Sequence, residues 1–367
     1  NFENIYLNKR LYIKMAKSKK EVPWILLVCT GAGNTIQGGA DIWVNNFLKE
    51  VWPTLPNRVR YRLLIDSKRP VGFNPNSLPA GLRFHFHYDD PSITEQWGRE
   101  SNWVHFLHPH YHMRKHLWQF EDKFGICFVH AYPKDMKSVW KSLPELDRLQ
   151  FQTKVDVDWY SDFLMTCKRR IWIGLNKSNL IADFPNYTYV LPNYYEFRGP
   201  PALTPHVDNG VVGFAARAET RKCLHWMDGI HKGYALTSQW DVQNLRDTSQ
   251  FQLPTIDIFQ WDPKIKHAFF TKNWGIFHGA SFKEPFGYNV FEAVDYGKLP
   301  IINKDWAPEL DYKYRASTKN EFDGCIKQIL RDSHEERTTE RNKLIEFMKK
   351  FDNKEEWADQ VRTQILS

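Results

Sequence analysis

At 367 residues, with 42% hydrophobic and 25% charged side chains, the chain is too long for one ordinary core and too short for three. No window approaches the roughly 20 unbroken apolar residues of a membrane span, and five scattered cysteines without a CxxC pair exclude a disulfide-stapled scaffold. The formal net charge of +7 is uneven: residues 1–200 hold 27 cationic and 19 anionic side chains, a net +8, and residues 201–367 hold 23 and 24, a net −1. These features predict a soluble, cytoplasmic protein of two α/β domains, the first of which either meets a polyanion or simply carries a solvated basic surface.

Along the chain, residues 1–21 read as an N-terminal extension, with Met15 and the run "AKSKKE" resembling a natural start. From Val22 the pattern becomes regular. "VPWILLVCT" has the continuous apolar profile of a strand covered on both faces, and "ADIWVNNFLKEVW" after the glycines has helical spacing. Further strands are predicted at "VRYRLLID", "LRFHFHY", "WVHFLH", "GICFVHAY", "RIWIGLN" and "YTYVLPNY", which makes residues 22–200 a doubly wound domain. The prolines and glycines of residues 198–210 mark a linker. The alternation restarts with strand "VVGFAAR", helix "ETRKCLHWMDGIHKG", strands "ALTSQW" and "TIDIFQW", helix "KIKHAFFTK", strand "WGIFHGAS", helix "YNVFEAVDYG" and strand "LPIINK". Residues 201–350 thus form a second doubly wound domain, and residues 351–367 a C-terminal helix.

The stretch Glu284–Ile302 concentrates the chemistry. A strand ends in Ser281, the loop carries Glu284 to the carboxyl end of the sheet, and Gly287 opens a helix whose Val290, Phe291 and Val294 form the buried stripe. Amide groups at such a helix start favour an anionic ligand. Glu292 follows within the early turns, Gly297 stops the helix, and one carboxylate on the loop and one on the helix can face the same pocket.

Ser281, Glu284, Phe286-Gly287, Glu292-Ala293, Gly297 and Pro300 resemble the signature of the retaining glycosyltransferases of the GT-B fold, particularly family 4, in which two glutamates are separated by seven residues. Four further landmarks recur in order. In "VVGFAARAETRKC", Arg217 and Lys222 match the pair that holds the donor diphosphate, with Ala216 in place of the usual glycine. "TGAGNTIQGGADIWVNNF" is similar to the N-terminal glycine loop and places Gly38 and Gly39 near phosphate or sugar. "GICFVHAYP" puts His130 at the family's active-site histidine. "YVLPNYYEF" keeps Asn193 but has Tyr194 for the glycine that follows.

The resemblance implies a GT-B architecture: two Rossmann-like domains facing a central cleft, with the C-terminal helix crossing back to the first. It also implies a retaining transfer from a nucleoside-diphosphate sugar, a UDP-sugar in our reading, with no metal or other cofactor required. Glu292 would bind the ribose, Glu284 the donor sugar, and Arg217 and Lys222 the diphosphate. Phe286, Gly287 and Tyr288 would complete the donor site. In such enzymes the first domain takes the acceptor. Its basic charge, and the stretches "PNRVRYR", "CKRRIW" and "HMRKHLW" that mix cations with flat rings, suit hydroxymethylated cytosine in DNA, as in phage transferases. A lipid or polysaccharide acceptor at an anionic membrane face is the alternative; a nucleotide-sugar 2-epimerase and a noncatalytic nucleic-acid-binding protein are others. His108, His110 and His112 share one face if the strand continues through them, which leaves zinc binding, a structural cluster and acceptor binding open.

Overall fold

The computed structural model describes residues 22–33, 39–108, 114–130, 163–175, 189–216, 222–229, 232–237, 242–243, 256–260, 262–281, 284 and 286–366. Two parallel sheets organise them. The first has the order β3-β2-β1-β4-β5-β6-β7, built from β1 (Trp24–Cys29), β2 (Arg60–Ile65), β3 (Arg83–Phe86), β4 (Trp103–Phe106), β5 (Phe124–Val129), β6 (Arg169–Ile173) and β7 (Tyr189–Leu191). The second has the order β10-β9-β8-β11-β12, from β8 (Val212–Ala215), β9 (Gly233–Thr237), β10 (Ile256–Gln260), β11 (Ile276–Gly279) and β12 (Leu299–Ile302). In both sheets the order reverses beside the first strand, between β1 and β4 and between β8 and β11. Doubly wound sheets bind ligands outside the carboxyl ends of the strands at such a point.

The composition of β1 explains its central place. Ile25, Leu27 and Cys29 enter the apolar cluster on one face of the sheet, and Leu26 and Val28 the cluster on the other. A strand covered twice needs an unbroken apolar run, which "WILLVC" supplies. Helix α1 (Gly39–Asn46) buries Trp43 and Val44 against the first of these faces and runs on through a wider turn at Phe47–Val51. Helix α2 (Pro91–Glu100) starts at Asp90, whose side chain accepts from Ser92 N at 3.0 Å, with Pro91 fixing the first turn.

In the second sheet's layer, α3 (Pro263–Phe270) begins under an Asp262 cap and α4 (Tyr288–Asp295) follows β11. Three helices close the chain: α5 (Lys319–Arg331), α6 (His334–Lys349), which opens on a Ser333/Glu336 capping box, and α7 (Lys354–Leu366). Trp357, Val361 and Ile365, spaced by four, join the core of the first sheet rather than the second. Burying each contributes about 1.5–3 kcal/mol.

One predicted helix is absent among the described residues. In "ETRKCLHWMDGIHKG" only a short 3-10 turn, Leu224–Met227, forms after Cys223, which sits in the left-handed region at φ 58°. The Cys223 carbonyl accepts from Trp226 N and from the ring of buried His278 at 2.8 Å, so a tertiary contact takes a group that helix propagation would have used.

Two buried histidines give the fold an acid sensitivity. Burial holds His105 on β4 and His278 on β11 down to about 4, and each ring bonds the backbone, His105 accepting from Ile126 N and His278 donating to Cys223 O. Unfolded histidine protonates near 6.5, so the unfolded chain binds more protons between these values. The contribution is therefore fully present above about pH 6.5 and is lost as pH falls toward 4. At pH 4.5 each histidine is expected to cost about 2–3 kcal/mol of stability relative to pH 7. Thermal melts across that range check this: the slope should lessen in His278→Gln, and an unchanged slope would refute it.

Candidate functional site

The carboxyl edge of the second sheet gathers the signature residues. Buried Ala280 and Ser281 follow the end of β11, and Glu284 comes after them. Its carboxylate is ion-paired with Lys222, which stands after β8, so the two strands flanking the reversal each supply one member of the pair. Asn289 on α4 donates to the Ala215 carbonyl at 2.9 Å and ties the helix start to the end of β8. Gly287 caps α4 at φ 81°, where a Cβ would stand 3.0 Å from Trp306 Nε1 and 3.3 Å from Glu284 Cγ. Glycine is thus required there twice, for its dihedral and for the space it leaves the glutamate.

Glu292 has a cation of its own. Its carboxylate pairs with Lys266 from α3. Burial raises the Glu292 carboxyl above the usual range, and Lys266 opposes the rise. Lys266 was missed in the sequence, where "KIKHAFFTK" reads only as an amphipathic helix. One signal was available: α3 follows the third strand of a doubly wound unit and so runs back beside the helix that carries Glu292. Phe286 is a core side chain, packed on Tyr288, Phe291 and Phe351, and its carbonyl accepts from Trp306 Nε1 at 2.9 Å. Its side chain is buried beneath the start of α4.

The first domain meets this site through α1. A Cβ on Gly39 would touch the Tyr288 ring at 3.4 Å, and the Tyr288 hydroxyl donates to the Tyr194 carbonyl at 3.3 Å. Gly38 and Arg217 lie outside the described residues, as do His110 and His112. Asn193 is buried, and its Oδ1 has no hydrogen-bond partner among the described residues.

At the carboxyl edge of the first sheet Thr30, Asp41 and His108 assemble a polar cluster beside His130, the residue that the motif had singled out. The Thr30 hydroxyl donates to Asp41 Oδ1 at 3.0 Å, so it accepts from the Nδ1–H of His108, 2.5 Å away. His108 lies past the end of β4 and so is not on a strand face. His130 donates from Nε2 to the Leu107 carbonyl at 2.8 Å, which leaves Nδ1 as its acceptor nitrogen, and its ring meets those of His108 and Trp43 edge-on at 5.2 and 5.3 Å. Burial, reinforced by His108, pushes the His130 pKa down to about 3, so it is a neutral imidazole at physiological pH. His105, in contrast, is embedded between β4 and β5 and belongs to the core. No group of three or more metal-ligating side chains occurs among the described residues.

Two of the three cation-and-ring stretches lie elsewhere. "PNRVRYR" leads into β2 and "CKRRIW" into β6, both at the amino edge, and their central arginines are structural. Arg62 is buried against Trp24 at 3.9 Å and bonds Glu100 at 2.5 Å, and Arg170 donates to the Leu164 carbonyl at 2.8 Å. These two stretches therefore lie away from the ligand edge: a strand that starts with a cation puts it at the end opposite that edge.

Two parallel sheets with helices over nearly the whole chain are similar to solved structures of glycosyltransferases. The chain has the GT-B fold. Sucrose-phosphate synthase from Thermosynechococcus elongatus is similar over 92% of this chain and 97% of that one, with a TM-score of 0.62 and 14% identity. A UDP-forming α,α-trehalose-phosphate synthase from Burkholderia xenovorans, in complex with glucose-6-phosphate, matches over 94% and 100% at a TM-score of 0.58 and 9% identity. A point mutant of TarM from S. aureus, in complex with fondaparinux, α-GlcNAc-glycerol and UDP, matches over 94% and 100% at a TM-score of 0.58 and 8% identity. No family model matches the chain, and no curated protein matches its sequence. Within the GT-B fold, Lys222, Glu284 and Glu292 stand on the second domain, and Gly39, Thr30, Asp41, His108 and His130 on the first.

Proposed function

We propose that this protein is a retaining glycosyltransferase that moves a sugar from a nucleoside-diphosphate sugar, a UDP-sugar in the first instance, to a hydroxyl acceptor. The observation that carries the reading is the Lys222–Glu284 pair at the β8/β11 reversal of a GT-B second domain, with Glu292 on the helix that follows. Lys222, with Arg217 five positions before it in sequence, supplies positive charge where the leaving diphosphate gains negative charge, which lowers the barrier most when the charge is fixed in advance. Glu284 accepts from donor-sugar hydroxyls, and Glu292 from the ribose. The bond from the anomeric carbon to the diphosphate oxygen breaks, the bond to the acceptor oxygen forms on the same face, and the acceptor proton passes to the departing phosphate. No glutamate serves as nucleophile in this scheme, and protein cations take the place of a metal. Neutral His130 offers Nδ1 as an acceptor for a sugar hydroxyl.

For the acceptor, the net +8 of residues 1–200 supports hydroxymethylated cytosine in DNA, which must be flipped from the duplex to reach the cleft. A lipid or glycan acceptor is favoured by one observation: "PNRVRYR" and "CKRRIW" point away from the cleft. The test is a transfer assay with a panel of nucleotide sugars, hydroxymethylcytosine DNA and unmodified DNA, read by mass spectrometry of the digested nucleosides. A sugar mass should appear only on hydroxymethylated nucleosides, with kcat/KM lowered about 10-fold in Glu292→Gln through loss of a charged hydrogen bond. Donor hydrolysis without transfer would move the acceptor to lipids or glycans; neither hydrolysis nor transfer from any donor would remove the transferase reading.

A further inference from the structure

Part of the positive charge of the first half has a location among the described residues. In a parallel sheet every strand starts on the same edge, and here the residues at or just before those starts are Arg58, Arg60 and Arg62 for β2, Arg83 for β3, Arg99 for β4, Lys123 for β5, and Lys168 and Arg169 for β6. Opposing them are Glu100, which Arg62 holds at 2.5 Å, and exposed Glu121 and Asp122. Arg58, Arg60, Arg83, Arg99 and Lys168 are exposed.

Rings stiffen the array. The Arg60 and Arg83 guanidinium groups lie 5.4 and 5.6 Å from the ring of Trp24, and Lys168 sits 4.0 Å from the ring of Trp103. A guanidinium held against a ring loses less side-chain freedom on binding, and its planar fork suits phosphate oxygens.

We infer that this amino edge is a second, noncatalytic docking surface for the phosphate backbone of a nucleic acid. Its place decides its role. Strands of four to six residues span about 13–20 Å, so the surface stands on the far side of the sheet from the cleft and cannot present the reacting base. It holds the polymer near the enzyme and raises the local concentration of acceptor sites. A bilayer fits the surface less well, because docking on lipid combines cations with inserted apolar side chains. Of the exposed large hydrophobic residues among those described, Val71, Tyr88, Met165 and Leu330, only Met165 is near this edge.

The inference deepens the acceptor side of the proposed function, rests on that reading, and is tested without donor. The probe is an unmodified 30-base-pair duplex titrated at several salt concentrations, with the full chain and with the triple variant Arg58→Gln, Arg60→Gln, Arg83→Gln. Affinity of the unaltered protein should fall with salt at a log–log slope of about −3 or steeper, and the triple variant should bind at least about 10-fold more weakly with a slope flatter by about 2–3. Lys327→Glu, on the exposed face of α5 in the other domain, should leave binding unchanged. Equal binding by the triple variant and the unaltered protein, or binding to anionic vesicles with none to the duplex, would overturn the surface. The two readings separate cleanly. If the triple variant loses the duplex while the unaltered protein glycosylates no hydroxymethyl nucleoside, the surface stands and the acceptor reading falls. If the triple variant keeps both the duplex and transfer to the free nucleoside, the surface falls and the acceptor reading stands.

Discussion

Lys222→Ala is expected to lower kcat/KM for sugar transfer about 10²- to 10³-fold, the range seen when one fixed donor to a developing charge is removed. The lysine is buried, its side chain is 11% exposed, and its ion pair with Glu284 holds it beside the β8/β11 reversal. A cation so placed costs nothing to reorganise as the diphosphate departs. Its present partner is Glu284, so donor binding has to insert between them, and alanine leaves the Glu284 carboxylate facing the diphosphate without its counter-charge. Affinity for the nucleoside-diphosphate product should therefore fall along with turnover. Glu284→Gln separates the two effects: it should impair sugar discrimination while leaving product affinity close to that of the unaltered protein. Steady-state kinetics with product titration decides the matter, and Lys222→Ala activity within about threefold of the parent would eliminate the assigned role.

The second large effect concerns a residue without a side chain. Gly287→Ala forces an alanine to φ 81° and places its Cβ against Trp306 and Glu284. The left-handed conformation alone costs about 1–2 kcal/mol for a residue with a Cβ. Crowding adds to this, because the Trp306 ring is anchored through its bond to Phe286 O and gives way poorly. Gly229 supplies the comparison, with φ at 86° and nothing within 4 Å of the added Cβ. Gly229→Ala should therefore show the conformational cost without the crowding. We expect Gly287→Ala to melt several degrees lower than Gly229→Ala and to raise donor KM more than 10-fold, whereas Gly229→Ala should keep the parental KM. Equal KM values in the two variants would show that Glu284 is not displaced.

Much of this was legible because the determining physics is local. The run "WILLVC" demands two covered faces, and Gly287, Phe291 and Gly297 each carry a start, stripe or stop signal within one helix. The contacts that escaped are those between residues distant in sequence. Lys266 reaches Glu292 across 26 positions, and Thr30 and His108 meet across 78. Nothing in a one-dimensional pattern ranks Lys266 above Lys264, its neighbour on the same helix. The helix expected over "ETRKCLHWMDGIHKG" is missing among the described residues for the same reason: its spacing is helical, but His278 from a neighbouring strand bonds the Cys223 carbonyl. Basic stretches misled for a topological reason, since composition does not say which end of a strand a cation occupies.

The return of α7 bears on how the molecule is made. The face of the first sheet around Trp43 is completed by Trp357, which meets it at 5.9 Å, and by Val361 and Ile365. A ribosome delivers these side chains only after the whole of the second domain has emerged. At the commonly observed pace of about 5–20 residues per second, the first domain waits for its lid for roughly 8–35 seconds after β7 is finished. During that interval the second domain can fold to completion while its predecessor still shows an apolar face to whatever is nearby, so the half translated earlier is the half that matures later and the one with most need of a chaperone.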